Sequence, residues 1–535
     1  MAYTGSSSGP FEYRVSRRLF LRLLGAVYFI AFLSLWVQIH GLIGSEGLLP
    51  AEEYLNALRQ NTDGIAWYQV PTLCRVDWIG CGDSSLNALC AIGCGCSVLV
   101  VCGVAPLPAL VILWAVYLSL LTVCRDFLSF QWDTLLLETG FFAVFYAPLT
   151  IDPRTFRRAC EPPQLARWAL WWLVFKLIFL SGVTKLLSGD STWRDLTAMT
   201  YHYQTQPIPN PLSWYAHYMP VWVHKSEVVV MFVLEIGAPF LIVTTRRLRH
   251  IACVLMILMQ VGIAVTGNYG FFNLLSIILC LSLADDEFLH RIGVPGFRRK
   301  HPATEPAAQP PVYGLRIAAT PFLILLLYVS GLRFLVEIVR TGRRSELPSF
   351  AATLRESAET YLTWDPPAVI AWTGLAPRQV LGWSSPFATI NGYGLFRVMT
   401  TERPEIVIEG SRDGTTWVEY EFRWKPGNPD RRPPVVAPHM PRLDWQMWFA
   451  ALNPRGNLHW LTSLMEGLVE GKPQIVALLP DQELTREPPK YIRLVMYKYE
   501  FSEAKGPSAA GGWWKRSDAA PLTRAMSGST TEISQ

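Results

Sequence analysis

The sequence predicts a polytopic α-helical membrane protein of about seven to nine spanning helices, followed by an extracytoplasmic β-sandwich-like domain with helical insertions. Three observations predict it. Of 535 residues, 51% are hydrophobic and only 17% charged, against about 25% charged in soluble domains. Apolar runs approaching 20 residues, the length needed to cross a bilayer, recur up to residue 337. After residue 345 they give way to short alternating runs separated by turn residues.

Nine segments are candidate spans: 18–43, 86–104, 107–124, 128–149, 168–187, 225–245, 250–267, 270–285 and 316–337. The second, third and eighth are short or weakly separated, which leaves the count between seven and nine. The basic start of the chain lacks a small-residue cleavage site after its apolar run, so the first span reads as a retained anchor. Basic residues fix the orientation. Arg14, Arg17 and Arg18 precede the first span, Arg154, Arg157, Arg158 and Arg167 follow the fourth, Arg246, Arg247 and Arg249 follow the sixth, and Arg298, Arg299 and Lys300 follow the eighth. With nine spans all lie on one side, which the positive-inside rule makes cytoplasmic. Arg340, Arg343 and Arg344 fall on the other side and dissent. The expected arrangement has the N-terminus in the cytoplasm and the C-terminal domain outside or in a lumen.

The helical domain is expected over 1–337, with a Pro/Ala-rich linker at 301–312 before its last span, and a β-rich soluble domain over 345–505. Within the latter, 405–424 reads as a hairpin around Arg412-Asp413-Gly414 and 491–501 as a strand, while 442–452 and 459–471 read as amphipathic helices. Residues 506–535 look like a disordered tail.

Five ionisable residues interrupt the apolar runs: Asp133, Glu138, Lys176, Lys185 and Glu235. At a rise of about 1.5 Å per residue, Glu138, Lys176 and Glu235 lie at one depth, and Asp133 and Lys185 nearer the outer surface. Matched depth and opposite sign suggest Glu138 or Glu235 with Lys176, and Asp133 with Lys185. Lys176 and Lys185 are nine residues apart, on nearly opposite helix faces, so one partner cannot serve both. Such pairs either lock a bundle together or mark a substrate or proton path. The outer loop 188–217 adds Trp193, Arg194, Asp195, His202 and Tyr203 close to Lys185. Their plain reading is an interfacial aromatic belt. Likewise Trp417, Trp424, Trp445, Trp448 and Tyr393 are either core aromatics or anchors for a partner protein.

Ten cysteines all precede residue 281. Cys74 and Cys81 lie in an outer loop, where an oxidising compartment would let them bridge. Cys90, Cys94, Cys96 and Cys102 read as small soft core residues. Neither a zinc-type Cys/His spacing nor a G-x-S-x-G nucleophile elbow occurs, so no metal or hydrolase triad is expected. The net charge of +5 is small and dispersed, which gives no reason to expect nucleic acid.

The stretches RDFLSFQWDTLLLETGFFAVFYAP (125–148), FLSGVTKLLSGDSTWRDLTAMTYHYQTQPIPNPLSWYAH (179–217), GNYGFFNLLSIILCL (267–281) and, later, NGYGLFRVMTTERPEIVIEGSRDGTTWVEYEFRWKPG and RPPVVAPHMPRLDWQMWFAAL resemble the lipase maturation factor family. The resemblance implies a chaperone-like membrane protein, of the endoplasmic reticulum in eukaryotes, that helps secreted lipases reach an active, assembled state. It implies no cofactor and no enzymatic activity; the partners would be a secreted, lipase-like client and the bilayer. The absence of N-x-S/T sequons and an Ala/Arg/Pro-rich style suggest a bacterial member in an inner or plasma membrane. A shorter stretch, FLSGVTKL with a later Trp, is similar to vitamin K-dependent γ-carboxylase. That similarity implies an alternative, an intramembrane enzyme acting on a quinone or lipid, with Lys185 as its base.

Overall fold

The computed structural model describes residues 12–61, 66–157, 160–293, 313–341, 349–363, 375–503 and 512–527. The expected linker at 301–312 lies outside them.

Seven helices among the described residues are long and apolar enough to span a membrane: α1 (Arg14–Trp36), α2 (Asp83–Cys102), α3 (Pro106–Leu128), α5 (Gln164–Leu187), α6 (Val221–Val243), α7 (Arg246–Thr266) and α9 (Ala319–Thr341). The expected spans at 128–149 and 270–285 are occupied by the shorter α4 (Gln131–Tyr146) and α8 (Phe272–Leu281). Both still carry the chain from one end of the bundle to the other. At one end, the carboxylate of Asp286 accepts the amides of Val15 and Ser16, Glu161 accepts the amide of Tyr13, and Arg246 pairs with Asp285. These acidic groups satisfy the free amides at the start of α1 and complement its dipole. At the opposite end, Gln38, Asp133 and Asn268 all bond to residues 434–442. The chain therefore starts at one end of the bundle and presents its C-terminal domain at the other.

Small residues set the closest approaches. A Cβ at Gly140 would lie 1.8 Å from the hydroxyl of Tyr28, one at Gly93 would strike the ring of Phe32, and one at Gly182 would meet Glu235 Cβ at 2.8 Å. Glycine there lets the backbones pack together where lipid offers no hydrophobic drive. Helix α6 is irregular. After Phe232 it opens into a π-helical turn (Val233–Gly237) and then tightens into a 3-10 turn (Ala238–Val243) holding Pro239. Such interruptions redirect side chains and often mark functional positions; here the displaced residue is Glu235.

The described residues of the C-terminal domain form five antiparallel strands in one sheet: β1 (Arg403–Ser411), β2 (Val418–Glu419), β3 (Tyr491–Phe501), β4 (Trp514–Pro521) and β5 (Met526–Ser527). The order is β2-β1-β3-β4, with β5 also on β3. Helix α10 (Arg442–Leu452) packs on β1, so helices take the place that a second sheet would have in a sandwich. The expected hairpin turns at Asp413, whose carboxylate accepts the amides of Thr415 and Thr416, while Gly414 supplies φ 78°. Its second arm is only two residues long. A buried triple, with Arg403 2.7 Å and Lys425 2.9 Å from Glu405, fixes the base of β1.

One expectation is corrected here. Within the supposed disordered tail, β4 pairs with β3 from Phe501↔Trp514 to Val495↔Pro521. The glycine- and alanine-rich stretch before it suggested disorder, but Trp513 and Trp514 bury their rings against Trp214, Tyr499 and Phe501, which offsets the cost of ordering the strand. Residues 504–511 and 528–535 lie outside the described part.

Candidate functional site

Five intramembrane ionisable residues enter three ion pairs, two of which reach into the C-terminal domain. Asp133 lies near the start of α4 and accepts from Arg442 at 2.5 and 2.7 Å, both side chains being fully buried. The hydroxyl of Tyr117 donates to the same carboxylate at 2.6 Å, and Arg442 also donates to the Phe127 carbonyl. The expected pairing of Asp133 with Lys185 is therefore wrong. Depth matching considered only the helices, and Arg442 arrives from outside them.

One turn deeper on α4, Glu138 pairs with Lys176, one of the two partners expected for that lysine. Lys176 donates in addition to Ser330 Oγ on α9 at 3.0 Å. The other oxygen of Glu138 accepts the Tyr393 hydroxyl at 2.6 Å and the Asn391 amide at 3.0 Å. The loop 391–396 thus dips from the C-terminal domain into the outer half of the bundle. A ring of aromatics closes this seam, with Phe130 stacked on Trp132 at 4.7 Å and Trp445 edge-on to Trp132 at 4.7 Å. The indole of Trp448 donates to the Thr205 carbonyl at 2.9 Å. Tyr393, Trp445 and Trp448 are therefore internal, with no face left for a partner. Trp424 packs against the core and Trp417 lies under the guanidinium of Arg493.

The third pair, Lys185 with Glu235, differs. It forms at 2.7 and 2.8 Å where α5 meets the π-turn of α6. It lines a cavity of about 380 Å³ between α5, α6 and α7, roofed by the outer loop. Of the five outer-loop candidates, Trp193, His202 and Tyr203 line this cavity, while Arg194 and Asp195 are exposed at the surface. The ring of Trp193 lies 5.4 Å from Lys185 Nζ, and its N–H donates to the Phe396 carbonyl. Burial, assisted by the charge of Lys185, pushes His202 down to about 4, so its imidazole is neutral at physiological pH.

Cys74 and Cys81 are both buried free thiols that interact with each other in the loop between α1 and α2. The one group of carboxylates close enough to share a metal among the described residues is Glu12, Glu161 and Asp286. Two of its members are already engaged by the first amides of α1. Residue reading had missed Arg442, Tyr117, Ser330, Asn391, Gln260 and Tyr269. Arg442 heads a helix whose buried side is mostly apolar, and Gln260 interrupts the apolar second half of α7; each was a legible signal.

Comparison with known proteins follows the same division. Residues 15–291 match the family model of the lipase maturation factor transmembrane domain, and residues 389–523 that of the lipase maturation factor C-terminal domain. The chain is 37% identical to lipase maturation factor 2 of Homo sapiens, over 94% of this chain and 81% of that protein. It is 37% identical to lipase maturation factor 2 of Gallus gallus, over 94% and 80%, and 34% identical to lipase maturation factor 1 of Bos taurus, over 94% and 87%. No solved structure matches.

Proposed function

Because this chain belongs to the lipase maturation factor family, we propose that it is an integral membrane maturation factor whose C-terminal domain faces the compartment through which lipases are exported. The observation that carries this reading is that both family domains are present in order, on a bundle whose two ends are chemically distinct. Arg14, Arg154, Arg246 and Arg247 lie at the end away from the sheet domain, and the positive-inside rule favours the cytosol for that end. The sheet domain and the loops 44–82 and 188–217 then lie in the endoplasmic-reticulum lumen, or outside the plasma membrane of a bacterium.

Client contact falls to the apolar side chains left open at that end: Trp67, Tyr68 and Trp78 in the first outer loop, and Trp383 and Val398 on the C-terminal domain. Exposed aromatics of this kind supply most of the energy in protein interfaces. The family is one of maturation, not catalysis, and the enzyme alternative has no support: Lys185 is held at two points by Glu235 and is not a free amine. Deleting the gene and re-expressing either the full chain or one lacking 389–523 tests the proposal. Lipase protein should be made in all strains, but specific activity should return only with the full chain. Equal specific activity in the deletion strain would refute it.

An exported outer loop also makes Cys74 and Cys81 neighbours in an oxidising compartment, where their paired thiols would form a disulfide. Alkylation without reduction, followed by mass spectrometry of the peptide, should leave both cysteines unmodified; two alkylated cysteines would place that loop in the cytosol.

A further inference from the structure

The cavity beside Lys185 has properties that lipase maturation does not require. Its volume of about 380 Å³ falls in the range of small-molecule sites, roughly 300–1,000 Å³. It opens sideways. Val230 of α6 and Gly262 of α7 line it and are exposed on the face that lipid would cover. These two helices pack together at the turn joining them, through the 3-10 segment of α6, while the first part of α6 leans on helix Ala198–Thr205. A cleft between them is therefore accessible from the hydrocarbon.

Its inner wall is polar in a specific way. Gln260 is 4% exposed. Its carbonyl oxygen accepts Asn273 Nδ2 at 2.9 Å, and its amide nitrogen has no partner among the described residues. That donor lines the cavity and is left to be satisfied by whatever occupies it. Across the cavity, Tyr269 donates to Gln206 Oε1 at 2.8 Å, because the Gln206 amide nitrogen donates to the Tyr203 and Thr266 carbonyls. The single phenolic proton is thereby committed. His202 Nε2, 3.0 Å from the same oxygen, must carry the proton between them, which leaves Nδ1 as an open acceptor. The site offers one free donor and one free acceptor.

Charge narrows the ligand. The one lysine lining the cavity is neutralised by Glu235, His202 is neutral, and Glu227 adds a carboxylate at the rim. Among the described residues no unpaired cation faces the space, so a phosphate or carboxylate head group would be buried without compensation. We propose that this cavity binds an uncharged lipid bearing a hydroxyl and an ester carbonyl, of the acylglycerol class. Its carbonyl accepts from Gln260, its hydroxyl donates to His202, and its chain leaves between α6 and α7.

Photo-crosslinking of the full chain in nanodiscs tests this. The probes are a diazirine-bearing monoacylglycerol, a phosphatidic acid with the same chain, and the headless alkane. The monoacylglycerol should label peptides of α5, α6 or α7 at least tenfold more than either other probe. Gly262→Phe should fill the space, since a Cβ there meets nothing within 4 Å, and should cut labelling at least tenfold. Gly95→Phe, equally open but on α2, should leave labelling unchanged. Gln260→Leu should reduce it several-fold and bring the monoacylglycerol towards the alkane, a readout that stands even if Gly262→Phe does not fold. Equal labelling by phosphatidic acid or the alkane overturns the head-group assignment. Labelling that survives Gly262→Phe in a monodisperse protein overturns the site.

Discussion

Two parts of one charged layer behave differently. At the seam between bundle and C-terminal domain, Asp133–Arg442 and Glu138–Lys176 are fully buried, and each carboxylate accepts a tyrosine hydroxyl besides its cation. About 13 Å of α5 separates Lys176 from Lys185, whose pair with Glu235 stands at the wall of a cavity. At the seam, Arg442 on Asp133 and Tyr393 and Asn391 on Glu138 tie the C-terminal domain to the bundle; the cavity pair joins two neighbouring helices and leaves space beside it. A buried ion pair contributes little net stability over a hydrophobic pair, yet breaking one by removing a single partner is costly. The seam therefore specifies where the C-terminal domain sits, and the cavity pair holds open a shape.

The largest effect should come from Arg442→Met, which strands Asp133 against Tyr117 with no cation. A loss of about 3–5 kcal/mol is expected, seen as a lower unfolding temperature in detergent and as rapid proteolysis of 375–503. Adding Asp133→Asn should restore most of it; no recovery would mean that Arg442 acts through packing alone. Lys176→Met should cost somewhat less, about 2–4 kcal/mol, because Glu138 keeps the Tyr393 hydroxyl and the Asn391 amide. Lys185→Met should cost about 1–2 kcal/mol, since water entering the cavity can reach Glu235. A loss there equal to that of Arg442→Met would erase the distinction between the two regions.

Acid should act on both regions, and least near neutrality. Burial pushes His202 at the cavity, His439 at the seam and His217, which packs against Phe501 of the sheet, down to about 4. Unfolded histidines titrate near 6.5. The folded chain therefore holds fewer protons than the unfolded one between those values, and stability present above pH 6.5 declines as the pH falls towards 4. Between pH 8 and 7 the change should be under about 0.5 kcal/mol. Unfolding curves that are flat from pH 7 to 4.5 would show these rings to be solvated.

The spans were legible because a bilayer demands long apolar runs, and α4 and α8 were legible only as apolar segments, since their shortness leaves no mark in hydropathy. Charge in an apolar run exposed Glu138, Lys176 and Glu235, but depth alone could not choose their partners. The choice depends on rotation about each helix axis and on the π-turn that turns Glu235 toward Lys185. Asp133 was misassigned because its partner lies 309 residues away, in a domain expected to be independent. The cavity was invisible for a related reason: empty space is a property of how helices diverge, and only the stray polarity of Gln260 hinted at it. The strand at Trp514–Pro521 hid behind a low-complexity approach.

That separation of 309 residues between Asp133 and Arg442 is also an interval of time. At about 5–20 residues per second, the ribosome reaches the arginine roughly 15–60 s after the aspartate has been made. During that wait the nascent bundle carries a lone carboxylate with no counterion, held near its outer rim. The last third of the chain is thus the clasp that completes the first third, and a truncated or misfolded C-terminal domain would announce itself to quality control as an unfinished membrane protein.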